Sequence, residues 1–277
     1  MRQFHASTFG QGEPVLFLPG GGFTGLQGLQ FAEALQHQYE IHLMDLPGFG
    51  ESEGIDRYTT SEVLADWIET YRTSRQLDSI RLIGHSMGGA IALAYAAHYP
   101  QHVNRLILLD QGHKPNVMLP YREYGLFGFT FPMLRLLYHR SPKRFLNWIE
   151  QKTQARDAFT SEDRFQSFCR RIGVEPTPFV RTAFEKPARL TTGGLHLLFG
   201  YDGLDFNNLL RRLSVPTQLY YADFTGLDVR EAKRTLHYVK RAERHVHPSV
   251  QLIAVPGGHF VQWNRYFSMD SVKTFLQ

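Results

Sequence analysis

The stretch Arg81-Leu82-Ile83-Gly84-His85-Ser86-Met87-Gly88-Gly89-Ala90-Ile91-Ala92 decides the fold. It begins as an apolar strand, passes through Gly-x-Ser-x-Gly and continues as an alanine-rich helix. A serine on such a strand-to-helix turn exposes its hydroxyl at the edge of a sheet, above the N-terminus of the helix. Gly84 and Gly88 are required because side chains there would collide with neighbouring backbone. These flanks predict that Ser86 is a nucleophile, rather than an incidental serine in a glycine-rich turn.

Strand and helix patterns alternate on both sides of this stretch. Short apolar runs predict strands over 4–7, 14–18, 41–44, 80–83, 103–109, 217–221 and 250–255. Helical spacing predicts helices over 26–38, 60–75, 86–98, 229–245 and 264–276, the second capped by Ser61. This order predicts an α/β fold with a mostly parallel sheet between layers of helices.

Four segments resemble the α/β-hydrolase family: Gly84-His85-Ser86-Met87-Gly88-Gly89, Asp45-Leu46-Pro47-Gly48-Phe49-Gly50-Glu51-Ser52, Pro19-Gly20-Gly21 and Gly257-Gly258-His259-Phe260. The resemblance extends over 15–109 and 216–276. It implies the α/β-hydrolase fold and a carboxylesterase-like serine hydrolase, which cleaves small esters through a Ser-His-Asp triad and an acyl-enzyme. Asp45 is interpreted as structural. Serine at position 86 argues against the dehalogenase and epoxide-hydrolase branches, which use aspartate there.

The segment 111–210 breaks the alternation. It is helical in places, rich in aromatic residues and proline, and contains no convincing buried strand. An insertion at the carboxyl edge of such a sheet lies over the ligand site, and it resembles the helical cap of many hydrolases. We therefore expect a core domain of 1–110 and 211–277 with 111–210 as a cap. Its aromatic residues are expected to form the cap's own core or to line an apolar pocket. They are Phe127, Phe129, Phe131, Phe145, Trp148 and Phe159. Alternatively, the stretch 127–138 forms a surface for lipid.

The base is predicted to be His259. The chain contains 13 histidines, but this one follows a buried strand and two glycines late in the chain, where the base of this fold belongs. His85 is interpreted as a packing residue beside the nucleophile. His245 and His247 lack carboxylate or cysteine partners in the sequence and are interpreted as surface residues, so no metal is expected. The proposed chemistry requires no cofactor.

Three aspartates remain candidates for the acid of the triad. Asp110 ends the strand over 103–109, a position that carries the acid in some lipases and dehalogenases. The more common family pattern, counted from Pro216, puts the aspartate at Thr225. Asp223 lies two residues before that position, and Asp228 also begins a helix capping box. We expect Asp110 to be the acid, with Asp223 as the first alternative and Asp228 as the second.

The resemblance implies that the oxyanion hole consists of the backbone amides of Gly21 and Met87, with Gly22 the next candidate. A glycine cluster after a buried strand leaves N–H groups free to face a ligand. Proline at position 19 replaces the histidine that is usual in this loop. The alternative interpretation is a plain strand-to-helix turn.

Charge, cysteine content and hydropathy limit the partners and the cellular location that we expect for the protein. The formal net charge is +4, and Lys and Arg are scattered except between 233 and 244, so no nucleic-acid partner is expected. The single cysteine, Cys169, cannot form an internal disulfide and suits a reducing cytoplasm. No apolar run approaches the length of a membrane span. We expect a cytoplasmic monomer or homodimer that acts on a small acyl compound.

Alternative functions use the same residues. A carbon–carbon bond hydrolase, a proline iminopeptidase and a cofactor-free perhydrolase are compatible with the predicted triad. A non-catalytic protein of hydrolase fold that binds a small ligand is the alternative outside enzymes.

Overall fold

The computed structural model describes residues 3–115 and 161–277, together with 138, 140 and 141. The six aromatic residues on which the cap prediction was based lie outside this part of the chain. Within it, the strands are β1 Ala6–Phe9, β2 Glu13–Leu18, β3 Tyr39–Met44, β4 Ile80–His85, β5 Val103–Leu109, β6 Thr217–Ala222 and β7 Val250–Val255. The helices are α1 Leu29–Leu35, α2 Ser61–Ser74, α3 Ser86–His98, α4 Ser161–Ile172, α5 Pro178–Glu185, α6 Thr192–Tyr201, α7 Phe206–Arg211, α8 Val229–Glu243 and α9 Met269–Leu276.

The strands form one sheet in the order β1-β3-β2-β4-β5-β6-β7. β1 pairs antiparallel with β3, whereas every other pair is parallel. The predicted α/β fold with a mostly parallel sheet is therefore confirmed. Because the strands are parallel, the segments after β2, β4, β5, β6 and β7 all leave from the same edge, which we call the carboxyl edge.

Each strand contributes to two apolar layers because successive side chains point to opposite faces. Leu16 and Leu82 pack into the layer that contains α2 and α3. Phe17 and Ile83 pack into the layer that contains α1 and α9. Leu209 and Leu210 of α7 belong to the first layer, so the end of the inserted segment shares a core with the main sheet.

Several predicted boundaries were wrong. The first strand begins at Ala6, not residue 4, and α1 is preceded by a 3₁₀ turn over Gly25–Gly28, where a side chain on Gly28 would meet the ring of Phe17. Thr60, not Ser61, caps α2 by accepting from the Val63 amide. Another 3₁₀ turn, Val261–Trp263, precedes α9, which begins only after Ser268 caps it.

Candidate active site

Ser86 is the first residue of α3 and lies directly after β4. Its φ of 51° is in the left-handed region, which is strained for a residue with a side chain. The glycines of the motif permit this turn: a Cβ on Gly84 would lie 2.6 Å from the Cα of Gly89, and one on Gly88 would lie 2.3 Å from the carbonyl oxygen of Leu18. The amide of Gly88 donates to the carbonyl oxygen of Pro19 at 2.9 Å. The start of α3 is thus held against the loop that follows β2.

Asp110 follows β5 and is buried, with a φ of 50°. Its Oδ1 accepts a hydrogen bond from the Ala222 amide at 2.9 Å, and its Oδ2 lies 2.6 Å from His259 Nδ1. Burial alone would raise the pKa of Asp110, but the Lys114 charge and the His259 hydrogen bond outweigh it, so the pKa is well below its usual value. The carboxylate is therefore ionised and directed at the imidazole ring.

The other two candidate acids make different contacts. Asp223 Oδ1 accepts from the amides of Thr225 at 2.8 Å and Gly257 at 3.3 Å. Asp228 Oδ1 accepts from the first amides of α8 and caps that helix. Of the three aspartates that the sequence left open, Asp110 is the one whose carboxylate meets the ring of His259.

His259 is buried at the carboxyl edge, beyond the end of β7. Its ring lies 4.8 Å from the ring of His85, centroid to centroid, and His85 Nε2 donates to its carbonyl oxygen at 3.1 Å. Burial, followed by the charge of His259, lowers the pKa of His85 to about 3. His85 is therefore a neutral residue that packs between β4 and the segment that carries His259.

The loop Pro19-Gly20-Gly21-Gly22-Phe23 follows β2 at the same edge. Its Gly20 amide donates to Gln27 Oε1 at 2.7 Å and is not available to a ligand. The Gly21 amide has no acceptor among the described residues, and a Cβ there would meet Met87 Cε at 2.9 Å. Met87 lies in the first turn of α3, where amides have no acceptor within the helix. Gly21 and Met87, whose amides are predicted to form the oxyanion hole, are thus neighbours in the structure.

Two polar side chains beside Ser86 had no signal in the sequence. Gln111 Nε2 donates to the Ser86 carbonyl oxygen at 3.1 Å and to the Tyr201 hydroxyl oxygen at 2.6 Å. Tyr201, the last residue of α6, is buried. Burial raises the pKa of Tyr201, and its hydrogen bonds with Gln111 and Ser86 oppose that rise. The inserted segment therefore supplies a phenol next to the candidate nucleophile.

Two further buried residues surround the Asp110 carboxylate. His113 Nε2 lies 3.7 Å from Asp110 Oδ1, and burial lowers the pKa of His113 to about 3. Lys114 Nζ lies 5.1 Å from the ring centroid of Phe224, in the loop after β6. Since His113 is neutral, the positive charge that acts on Asp110 from this segment is that of Lys114.

An aromatic cluster connects the histidine segment with the inserted helices. Phe260, next to His259, contacts Phe23 at 5.7 Å, Trp263 at 5.1 Å and Phe168 of α4 at 6.2 Å between ring centroids. Helices α4 and α5 therefore pack directly on the segment that carries His259.

Across the described ranges, no group of three or more His, Cys, Asp and Glu side chains could hold a metal ion. The same part of the chain contains no helix with the length and apolar character of a membrane span.

The family described as alpha/beta hydrolase fold matches residues 13–266. The chain belongs to this family. The match extends over six of the seven strands, β2 to β7, and over the residues of the candidate site. The predicted resemblance is thereby confirmed for the family and for the fold.

Curated relatives of this α/β hydrolase match over part of their length. The pimeloyl-[acyl-carrier protein] methyl ester esterase of Vibrio campbellii is 29% identical over 144 residues, 48% of this chain and 55% of that protein. The 1-acylglycerol-3-phosphate O-acyltransferase ABHD5 of Homo sapiens is 35% identical over 102 residues, 35% of this chain and 29% of that protein. These matches thus cover less than two thirds of either relative.

Solved structures agree over nearly the full length. The E-2-(acetamidomethylene)succinate hydrolase superposes with a TM-score of 0.70 at 16% identity, over 99% of this chain and 95% of that one. A thermophilic esterase from Thermogutta terrifontis gives 0.65 at 21% identity, over 99% and 91%. At such identities the likeness concerns the fold alone. The family's description names a hydrolase fold, and one of the two relatives is named as an esterase.

Proposed function

We propose that the protein is a serine hydrolase that cleaves a small carboxylic ester through Ser86, His259 and Asp110. The observation that carries this proposal is the 2.6 Å contact between His259 Nδ1 and Asp110 Oδ2. It lies at the sheet edge where Ser86 adopts a positive φ at the start of α3. A buried acid that orients a histidine, on the edge that carries a strained serine, is the arrangement that acyl transfer requires.

Acylation begins when His259 Nε2 takes the proton of Ser86 Oγ as the oxygen attacks the ester carbonyl carbon. Asp110 accepts a hydrogen bond from the N–H at Nδ1 of His259. This bond keeps Nε2 unprotonated, so that Nε2 can act as the base. The amides of Gly21 and Met87 then stabilise the negative oxygen of the tetrahedral intermediate. The proton on Nε2 passes to the leaving alcohol, and the acyl group remains on Ser86.

Deacylation repeats the same chemistry with water. His259 takes a proton from a water molecule, which attacks the acyl carbon and forms a second oxyanion at the same amides. The proton then returns to Ser86 Oγ, and the carboxylic acid leaves. The ionised state of Asp110 supports both half-reactions because its charge stabilises the imidazolium that forms in each.

The segment 111–210 acts as a cap over this site in the proposed function. Support comes from α4, which contacts Phe260 through Phe168, and from Tyr201 of α6, which lies beside Ser86. A cap built in this way limits the acyl group by the space between its helices and the sheet edge. The substrate is therefore expected to be small. The proposed working unit is a monomer or homodimer.

The experiment combines a fluorophosphonate probe with hydrolysis of p-nitrophenyl esters of increasing acyl length. We expect the probe to label Ser86 and turnover to fall as the acyl chain outgrows the site. Ser86→Ala is the control: it should lose labelling and turnover but keep the thermal midpoint within a few degrees. Labelling at another residue would contradict the proposal.

The remaining outcomes separate the alternatives. Labelling of Ser86 without ester turnover would favour a carbon–carbon bond hydrolase, a proline iminopeptidase or a perhydrolase, and would contradict the ester substrate. No labelling, together with ligand binding that Ser86→Ala leaves unchanged, would overturn the enzyme in favour of a non-catalytic binder of small molecules.

A further inference from the structure

The positive charge of the chain is concentrated in one segment. Residues 229–247, which comprise α8 and the four residues after it, contain six of the 30 Lys and Arg but two of the 26 Asp and Glu. This excess of four equals the formal net charge of +4 for the whole chain. The remainder of the molecule is therefore balanced, and α8 gives it a positive side.

Most of these charges are unpaired and face outward. We define the α8 basic face as Arg230, Lys233, Lys240, Arg241 and Arg244, all of which are exposed. Among the described residues, the sixth base, Arg234, is the one in this segment that forms an ion pair, at 2.7 Å from Glu231. The opposite side of α8 is buried through Thr235, Val239 and Ala242. The α8 basic face is thus free for a ligand while the helix itself is anchored.

Apolar side chains interrupt the same face. Val229 is 72% exposed and Leu236 is 51% exposed. Their spacing of seven residues puts both on one side of the helix. Lys233 lies between them along this side, and Lys240 lies one turn after Leu236. Tyr266, 56% exposed, lines a cavity of about 700 Å³ with Leu227, just before α8 begins. These three are the exposed large apolar side chains of the described residues.

We propose that the α8 basic face binds an anionic phospholipid surface, with Leu236 and Val229 inserted between the headgroups. Basic side chains on flexible stems suit a lipid surface, because mobile phosphates can move to meet them and no fixed partner geometry is needed. A helix of 15 residues is about 22 Å long, enough to span several headgroups. A folded protein partner would instead require shape complementarity around Leu236.

The position of α8 connects this surface with the carboxyl edge. The loop that leads from β6 to Asp228 leaves the sheet at that edge, and Asp223 in this loop accepts from Gly257, two residues before His259. The N-terminal end of α8 and Tyr266 therefore lie on the side of the molecule where Ser86 and His259 are located. Contact with lipid would hold the carboxyl edge close to a membrane. This inference rests on the charge distribution and on the exposed apolar side chains of α8, and it does not depend on the proposed esterase.

The test is co-sedimentation of the full chain with vesicles of phosphatidylcholine alone or with about 30 mol% phosphatidylserine. We expect binding to the anionic vesicles only, and loss of binding when the ionic strength is raised to about 0.5 M. Lys233→Gln with Lys240→Gln should weaken binding about 25-fold, since each base near an anionic surface is worth about fivefold. Leu236→Ser should weaken binding several-fold and leave the dependence on salt intact.

The matched control removes the same charge elsewhere. Arg57→Gln with Arg211→Gln changes two exposed bases outside 229–247 and should bind anionic vesicles like the wild type. Equal weakening in the control and the α8 variant would overturn the inference, because net charge and not the α8 basic face would then be responsible. Absence of binding to anionic vesicles at low salt would overturn it as well. Thermal midpoints of all variants should agree, so that unfolding does not imitate lost binding.

Discussion

Gln111 and Tyr201 are joined by a 2.6 Å hydrogen bond beside the candidate nucleophile. The Gln111 amide nitrogen donates one hydrogen to the Tyr201 hydroxyl oxygen and the other to the Ser86 carbonyl oxygen. Because an amide nitrogen cannot accept, the Tyr201 hydroxyl keeps its own proton as a donor. Burial raises the pKa of Tyr201, so this proton is retained at neutral pH. Tyr201 is thus a buried donor available to Ser86 Oγ or to an oxygen of the substrate.

We expect Tyr201→Phe to lower kcat about tenfold with little change in KM. The substitution removes one donor near the reacting oxygens and preserves the ring that fills the space. Steady-state hydrolysis of a p-nitrophenyl ester measures the effect, and the rate of labelling by a fluorophosphonate should fall in the same proportion.

Tyr220→Phe is the matched control for Tyr201→Phe. Tyr220 is also buried, and its hydroxyl donates to Gln218 Oε1 at 2.8 Å within β6. This variant should lose a similar amount of stability and keep kcat. If both variants retain the wild-type kcat and labelling rate, Tyr201 has a structural role only.

Substitution of the three candidate acids should separate their roles. Asp110→Asn should lower kcat about 10³- to 10⁴-fold, because the neutral amide stabilises the wrong tautomer of His259 and no imidazolium. Asp223→Asn should have a much smaller effect on kcat. Asp228→Ala should leave kcat unchanged but destabilise the fold by about 1 kcal/mol through loss of the α8 cap. Kinetics and thermal unfolding of the three purified variants measure this, and a larger kcat loss at Asp223 than at Asp110 would reject Asp110 as the acid.

The sequence was sufficient for the sheet because each strand has a local signature. The run over β4, the glycines around Ser86 and the turn before His259 all encode backbone shapes that few other residues permit. Periodicity also predicted most strand bounds within two residues. Helix ends were less accurate. Thr60 lies beside Ser61, which caps equally well in isolation, and α9 begins after the Ser268 cap and not at Asn264.

The environment of the site was not encoded locally. The hydrogen bond between Asp110 and His259 joins residues 149 positions apart, and the sequence offered three aspartates with comparable arguments. Tyr201 and Lys114 become relevant only when packing brings them next to Ser86 and Asp110, and neither belongs to a recognisable motif. Such contacts depend on tertiary packing, for which a single sequence contains no pattern.

Gly88 and Gly21 should respond differently to alanine. A Cβ on Gly88 meets backbone atoms of Leu18 and Pro19 at 2.3–2.4 Å, and neither strand nor loop can withdraw. Gly88→Ala should therefore destabilise the protein by roughly 2–3 kcal/mol or more, measured as a lower urea midpoint. Gly21→Ala meets only the flexible end of Met87, so it should fold and show reduced kcat from a displaced amide. Equal urea midpoints for the two variants would contradict this distinction.

Two buried histidines should make the stability of the protein depend on pH. The pKa of His85 and that of His113 are each about 3 in the folded state, because burial disfavours the charged ring. In the unfolded chain each pKa is near 6.5, so between these values the unfolded state binds protons that the folded state does not. The free energy of unfolding therefore falls as pH decreases below about 6.5, by about 1.4 kcal/mol per pH unit for each histidine. Asp110 affects the free energy of unfolding at lower pH. Its stabilising contribution is fully present above its unfolded pKa near 3.8 and is lost as the pH falls towards its folded pKa.

We expect His85 and His113 together to lower the free energy of unfolding by about 2–3 kcal/mol between pH 7 and pH 5.5, about half each. The lowered pKa values of His42, His98 and His196 act in the same direction. Urea titration of the wild type at both pH values measures this difference. His113→Gln cannot acquire a proton, so its loss over the same interval should be about 1 kcal/mol smaller. His245→Gln, which changes an exposed histidine, should keep the full wild-type dependence. A His113→Gln variant that loses as much stability as the wild type would show that His113 is protonated in the folded state, and the buried neutral ring beside Asp110 would have to be abandoned.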